Sequence, residues 1–149
     1  MTRKRPARPA SERRGRPEEA NVVYLDSSAL VKLVLWEPES GALRRFLLGH
    51  PSRASCALAR TEVVRAVRHA GPDAVARAVE VLRRVELIRL DDALLDAAGS
   101  LDPGVLRALD AIHLAAAAIL SGQLASVVTY DERMAKAARV LRLPVATPR

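Results

Sequence analysis

A single α/β domain, with a parallel sheet flanked by helices on both faces, is the fold this sequence predicts, and three observations carry it. Short apolar, β-branched runs alternate with amphipathic stretches of helical period from residue 21 to the C-terminus. No Asn-Gly or Asp-Gly dipeptide joins two such runs as a hairpin. Two runs, Val22-Val23-Tyr24-Leu25 and Ser126-Val127-Val128-Thr129-Tyr130, end on carboxylates, Asp26 and Asp131, and pass directly into helix. The carboxyl end of a strand is where open α/β sheets bind ligands, so two acids are expected on one sheet edge. At 149 residues, half of them apolar, the chain suits one domain with a sizeable core and no disulfides.

Each element has its own signal. Residues 1–20 are rich in Pro, Arg, Glu and Ser without apolar periodicity, which predicts a disordered basic arm ahead of a folded domain over 21–149. After the first strand, Ser28 is expected to cap a helix over 29–36, closed by Pro38. Leu43, Phe46 and Leu47 give a second helix over 39–48, stopped by His50-Pro51. A weak strand over 54–58 precedes a helix over 59–70 with Val63, Val64 and Val67 inward. Beyond Gly71-Pro72, Asp73 is expected to cap a helix over 73–84 whose inner face carries Val75, Val79 and Leu82. A strand over 85–90 runs into Asp91-Asp92 and a helix to about residue 100. The loop Asp102-Pro103-Gly104 leads to the most apolar helix, over 105–120, ended by Gly122. The strand ending at Asp131, a helix to about residue 141 and a short strand at Val145 complete the chain.

Composition narrows the function. The net charge of +7 favours a polyanionic partner, most simply nucleic acid, against the plainer reading of a solvated Arg-rich surface. Lys4, Lys32 and Lys136 are the only lysines, which disfavours Schiff-base chemistry and leaves no Gly-Lys-Ser/Thr phosphate loop. With Tyr24, Trp36, Phe46 and Tyr130 as the only aromatics, RNA would be held through phosphate and shape rather than on a stacking platform. Cys56 has no cysteine partner, so it reads as a small buried hydrophobe in a reducing cytoplasm. No apolar run is long enough to cross a bilayer, and the basic N-terminus lacks the apolar core of a signal peptide.

Most acids are explained by helix starts or solvation, but Asp110 is not. It lies in Leu106-Arg107-Ala108-Leu109-Asp110-Ala111-Ile112-His113-Leu114, a helix apolar all round in its later turns, where a carboxylate needs a salt bridge, to Arg107 for instance, or a cation. Glu62, one turn into the helix after the second strand, is either a dipole residue or a second acid at the edge of Asp26. Asp26, Glu62, Asp110 and Asp131 gathered around one crevice would repel one another and call for Mg2+ or Mn2+, hard cations that take oxygen ligands. His113 lies at helical spacing from Asp110 but is read as a hydrogen-bonded core histidine and left out of the site. Trp36 is read as a core residue at a helix end, and Thr129 or Ser28 as groups that orient an acid or a phosphate.

At these residues the chain resembles a PIN domain, and within that family a VapC-type toxin ribonuclease. The resemblance rests on Tyr24-Leu25-Asp26-Ser27-Ser28-Ala29-Leu30-Val31, on Thr61-Glu62 with Arg65, on Leu109-Asp110-Ala111-Ile112-His113 and on Val128-Thr129-Tyr130-Asp131-Glu132-Arg133. It implies a PIN-like sheet, one or two Mg2+ or Mn2+ ions on Asp26, Glu62, Asp110 and Asp131, endonucleolytic RNA cleavage, a homodimer and a cognate VapB-type antitoxin. The basic arm departs from the family pattern. A haloacid-dehalogenase-like phosphatase needs an acid where Ser28 stands, and a response-regulator receiver needs an acidic pair and a lysine that are missing. The remaining alternative is a catalytically silent PIN-like module that binds nucleic acid or protein.

Overall fold

The structure, a computed structural model, describes residues 19–104 and 106–149. Its five parallel strands are β1 (Val22–Leu25), β2 (Ser52–Cys56), β3 (Glu86–Ile88), β4 (Leu124–Val128) and β5 (Val145–Ala146), in the order β3-β2-β1-β4-β5. The helices are α1 (Ser27–Val34), α2 (Ser40–Leu48), α3 (Ala59–Val67), α4 (Pro72–Arg83), α5 (Asp92–Gly99), α6 (Ala108–Ile119) and α7 (Glu132–Val140). The expected α/β architecture is therefore present.

Alternation along the central strand builds two cores. Val23 and Leu25 face one side, where α1 to α4 bring Leu30, Leu43, Val63, Val67 and Leu82. Tyr24 faces the other side, against Leu94, Leu114, Met134 and Ala138 of α5, α6 and α7. Leu25 and Leu114 are fully buried, and truncating either to Ala is expected to cost about 2–5 kcal/mol. Because β1 is followed by helices on the first face and β4 by α7 on the second, the chain diverges between these adjacent strands. A divergence of this kind, above the carboxyl ends of adjacent strands, is the usual ligand position in such sheets.

Several local expectations are corrected. Asp26, not Ser28, caps α1, since its extended backbone lets the side chain reach the Ser27 N–H. Gly71 rather than Asp73 precedes α4: its φ of +93° suits glycine, and Pro72 opens the first turn. Val79 is exposed because Ala74, Ala78 and Leu82 form the stripe that meets α1 and α3. Trp36 is 76% exposed and outside both cores, because α1 stops at Val34 and leaves it on the following turn. The second strand begins and ends two residues earlier than expected. Helix α6 begins at Ala108, since a turn closed by the Leu106 N–H on the Pro103 carbonyl and an extended Arg107 precede it. Residues 1–18 of the expected arm lie outside the described residues, as does Val105.

Candidate active site

Asp26 is placed by the sheet register. Leu25 pairs with Val128, so Asp26 and Thr129 leave their strands side by side. Asp26 is 6% exposed, and a buried carboxylate requires several partners to offset its lost hydration. Oδ1 accepts from the Ser27 N–H at 2.7 Å, and Oδ2 accepts from the hydroxyls of Ser28 at 2.9 Å and Thr129 at 2.8 Å. The same hydroxyls tie in the second strand end: Ser28 Oγ accepts from the Tyr130 N–H and Thr129 Oγ1 from the Asp131 N–H. Ser28 and Thr129 thus orient an acid, and that acid is Asp26.

Asp131 caps α7, its Oδ1 accepting from the backbone N–H groups of Arg133 at 2.9 Å and Met134 at 3.1 Å. Asp110 sits in the first turn of α6, partly buried. Burial holds its carboxyl above the usual range, and the negative charges of Asp131 and Asp26 push in the same direction, against a smaller opposing pull from His113 and Arg107. Among the described residues no ion pair joins Asp110 to Arg107. Among the described residues the salt-bridge explanation of Asp110 is not realised, and the other acids outweigh His113 and Arg107 in its field.

Glu62, in the first turn of α3, is held by a residue that the sequence reading set aside. Its Oε1 accepts from the Ser27 hydroxyl at 3.1 Å and lies 2.7 Å from Nε2 of His113. His113 is buried, as expected of a core histidine, yet it projects from α6 beneath the acids, with Nε2 also 3.9 Å from Asp26 Oδ1. Nδ1 meets the Tyr24 hydroxyl at 2.8 Å and Cys56 Sγ at 3.5 Å. Burial alone would depress the imidazolium, but hydrogen bonds with Cys56 and Glu62 and the charge of Asp26 raise its pKa to about 10. Cys56 adds to this only as a thiolate, whereas Glu62, itself lowered, is the ring's charged hydrogen-bond partner. Protonated, the ring donates from Nε2–H to Glu62 and from Nδ1–H to the Tyr24 oxygen. Glu62 is correspondingly lowered: burial would raise it, and the bond and charge of His113, with the Ser27 hydroxyl, outweigh that. The sequence signal for His113 was its position three residues after Asp110, one helical turn along the same face.

Asp26 and Asp131 thus cap α1 and α7, Glu62 and Asp110 lie in the first turns of α3 and α6, Asp110 lies in the field of Asp131 and Asp26, and His113 links Glu62 to Asp26. Among the described residues, no three His, Cys, Asp or Glu side chains stand close enough together to hold a metal ion as they are. The donor chemistry nevertheless suits a hard cation. The acids supply only oxygen, and among the described residues Asp26 Oδ1 accepts one hydrogen bond and retains a lone pair, and Asp110 makes no ion pair. Two grooves flank α7 beside these acids. One of about 370 Å3 includes Asp131, Arg139 and Arg149, and one of about 340 Å3 includes Asp110, Arg107 and Arg133.

Comparison with known proteins agrees with this architecture. The PIN domain family model matches residues 23–140. Ribonuclease VapC46 of Mycobacterium tuberculosis (strain ATCC 25618 / H37Rv) is 49% identical over 126 residues, covering 85% of this chain and 97% of the relative. Ribonuclease VapC47 of the CDC 1551 / Oshkosh strain is 36% identical over 132 residues with the same coverage, and Ribonuclease VapC35 of that strain is 37% identical over 131 residues. A family match spanning both carboxylate-bearing strand ends, with relatives aligned along nearly their whole length, makes this chain a member of the PIN-domain family, of the VapC type.

Proposed function

We propose that this chain is a Mg2+- or Mn2+-dependent endoribonuclease and the toxin of a VapBC-type pair. The observation that supports the reading is Asp110, whose carboxyl is raised by burial and by the charges of Asp131 and Asp26 against a smaller pull from His113 and Arg107, with Glu62 tied through His113 to Asp26. The names of the relatives, all ribonucleases, supply the reaction class.

Asp26 and Asp110 are the direct ligands in this reading, and Glu62 and Asp131 complete the set directly or through water. When bound, the divalent cation neutralises phosphate charge and eases deprotonation of the attacking water. The hydroxyls of Ser28 and Thr129 hold Asp26 in one orientation, so little reorganisation is needed when substrate arrives. His113 keeps Glu62 ionised and fixes Oε1, leaving Oε2 to take a ligand or a proton. The acidic crevice also fits a basic side chain, which is how a VapB-type antitoxin would block it. In this reading the domain spans 21–149, the basic arm spans 1–20, and the protein works as a cytoplasmic homodimer.

Incubating labelled RNA with the wild type and Asp26→Asn, each with Mg2+, Mn2+ or excess EDTA, tests the proposal. Internal cleavage by the wild type with metal, abolished by EDTA and by the substitution, is the expected result. RNA bound but never cut under any metal condition would favour the silent binding module.

A further inference from the structure

A groove between the start of α6 and one side of α7 reaches Asp110 at the candidate active edge. It is lined by Asp110, has a volume of about 340 Å3, and counts Leu106 and Val140 among its apolar lining. Arg107, Arg133 and Lys136 supply its cationic lining. Arg133, Lys136 and Val140 follow helical spacing on α7, so one face presents two cations and then an apolar surface running away from the active edge. Among the described residues, the side chains of Arg107, Arg133 and Lys136 make no hydrogen bond or ion pair. Val140 is 62% exposed, so among the described residues nothing covers most of it.

We propose that this groove is a substrate subsite that binds a nucleotide next to the scissile phosphate of a single-stranded RNA. The adjacent phosphate lies among Arg107, Arg133 and Lys136, and the ribose and base cover Leu106 and Val140. The proposal rests on the ribonuclease reading above. The groove is within the size range of small-ligand sites, about 300–1,000 Å3. Its charge suits a polyanion, and its open end at Asp110 suits a chain whose next phosphate reaches the cation-binding edge. An acidic peptide would match the cationic lining but set its carboxylates against Asp110 without a phosphate to place at the metal. Since the apolar lining is aliphatic and offers no directed hydrogen bonds, the contact is tolerant of base identity.

The test uses the full chain carrying Asp26→Asn, so that RNA stays intact, and a fluorescein-labelled 12-nucleotide single-stranded RNA of randomised sequence. Anisotropy titrations over a range of salt concentrations compare Arg107→Ala, Arg133→Ala and Lys136→Ala with Arg83→Ala, an exposed arginine of α4 on the opposite face of the sheet. Each substitution of a groove cation is expected to weaken binding about 2- to 5-fold at low salt, the range of an exposed ion pair. Each should also reduce the slope of log affinity against log salt by about 0.7, while Arg83→Ala changes neither. Val140→Ser should weaken binding with the slope preserved. If the parent binds RNA and the groove-cation variants behave like Arg83→Ala, the groove assignment is overturned and the ribonuclease reading stands. Groove-cation variants that bind RNA normally but lose a co-purifying antitoxin would overturn it in favour of a protein occupant. If the unsubstituted chain neither binds nor cuts RNA, the ribonuclease reading fails and takes the subsite with it.

Discussion

Replacing His113 by Gln separates the charge under the active edge from the space it fills. Glutamine has a similar reach and retains a donor and an acceptor, but it cannot carry the positive charge that faces Glu62 at 2.7 Å and Asp26 at 3.9 Å. Removing one partner of a fully buried ion pair costs about 3–5 kcal/mol. The Glu62 side chain is 27% exposed and stays partly hydrated, which reduces the expected loss to about 2 kcal/mol. For a protein of this size that corresponds to a Tm about 4–8 °C lower. The pH dependence gives the sharper test. The His113 pKa is raised by folding, from 6.5 to about 10, so its stabilisation is complete below about pH 6.5 and is lost as pH climbs towards 10. Glu62 is lowered, so its share is present above its unfolded pKa and lost in acid. Urea unfolding of both proteins at pH 6, 8 and 9.5 should therefore show a gap that narrows with pH. A gap constant over that range would mean that His113 acts only as a neutral hydrogen-bonding side chain, and the charge argument would be wrong. Cleavage at pH 7 should fall about 10- to 100-fold, as when a partner that orients a metal ligand is lost, with RNA affinity nearly unchanged.

Other substitutions test the acids themselves. Asp26→Asn and Asp110→Asn should each abolish most cleavage, and full activity in both would sink the site. In EDTA, Asp110→Asn should be at least as stable as the wild type at neutral pH, because folding raises the Asp110 pKa and so penalises its charged form; this advantage should vanish below the unfolded carboxyl pKa, as urea titrations would show. Binding of Mg2+ or Mn2+ should release protons and weaken as pH falls into the acid range, measurable by calorimetry in buffers of different ionisation enthalpy, and a pH-independent constant would count against the carboxylate set. Deleting residues 1–20 should flatten the salt dependence of RNA binding by about 0.7 in slope per lost phosphate contact while leaving the turnover of bound RNA unchanged, and an unaltered slope would remove the arm from RNA binding.

How much was legible in the sequence followed from the range of each interaction. The parallel architecture and the position of Asp26 immediately after β1 could be read directly, because hydrophobic period and strand termination are local in sequence, whereas β4 ends at Val128 and Asp131 follows three residues on as the cap of α7. Details of a residue or two were less legible. The capping of α1 by Asp26 instead of Ser28 depends on one backbone torsion, and the burial of Ala78 in place of Val79 depends on how α4 is rotated against α1. His113 shows the stronger limit. Sequence reasoning correctly made it a buried, hydrogen-bonded histidine, but its partners Glu62, Tyr24 and Cys56 come from α3, β1 and β2, brought beneath α6 only by the sheet order β3-β2-β1-β4-β5. Likewise, Asp110 could be recognised as an acid in an apolar helix, while the absence of an ion pair with Arg107 and the dominance of Asp131 and Asp26 required the packed chain. The sequence by itself determined which residues carry the charge and which strands end at it. Tertiary structure alone decided which charges share a field, since electrostatic energy depends on spatial separation and solvent exposure and not on distance along the chain.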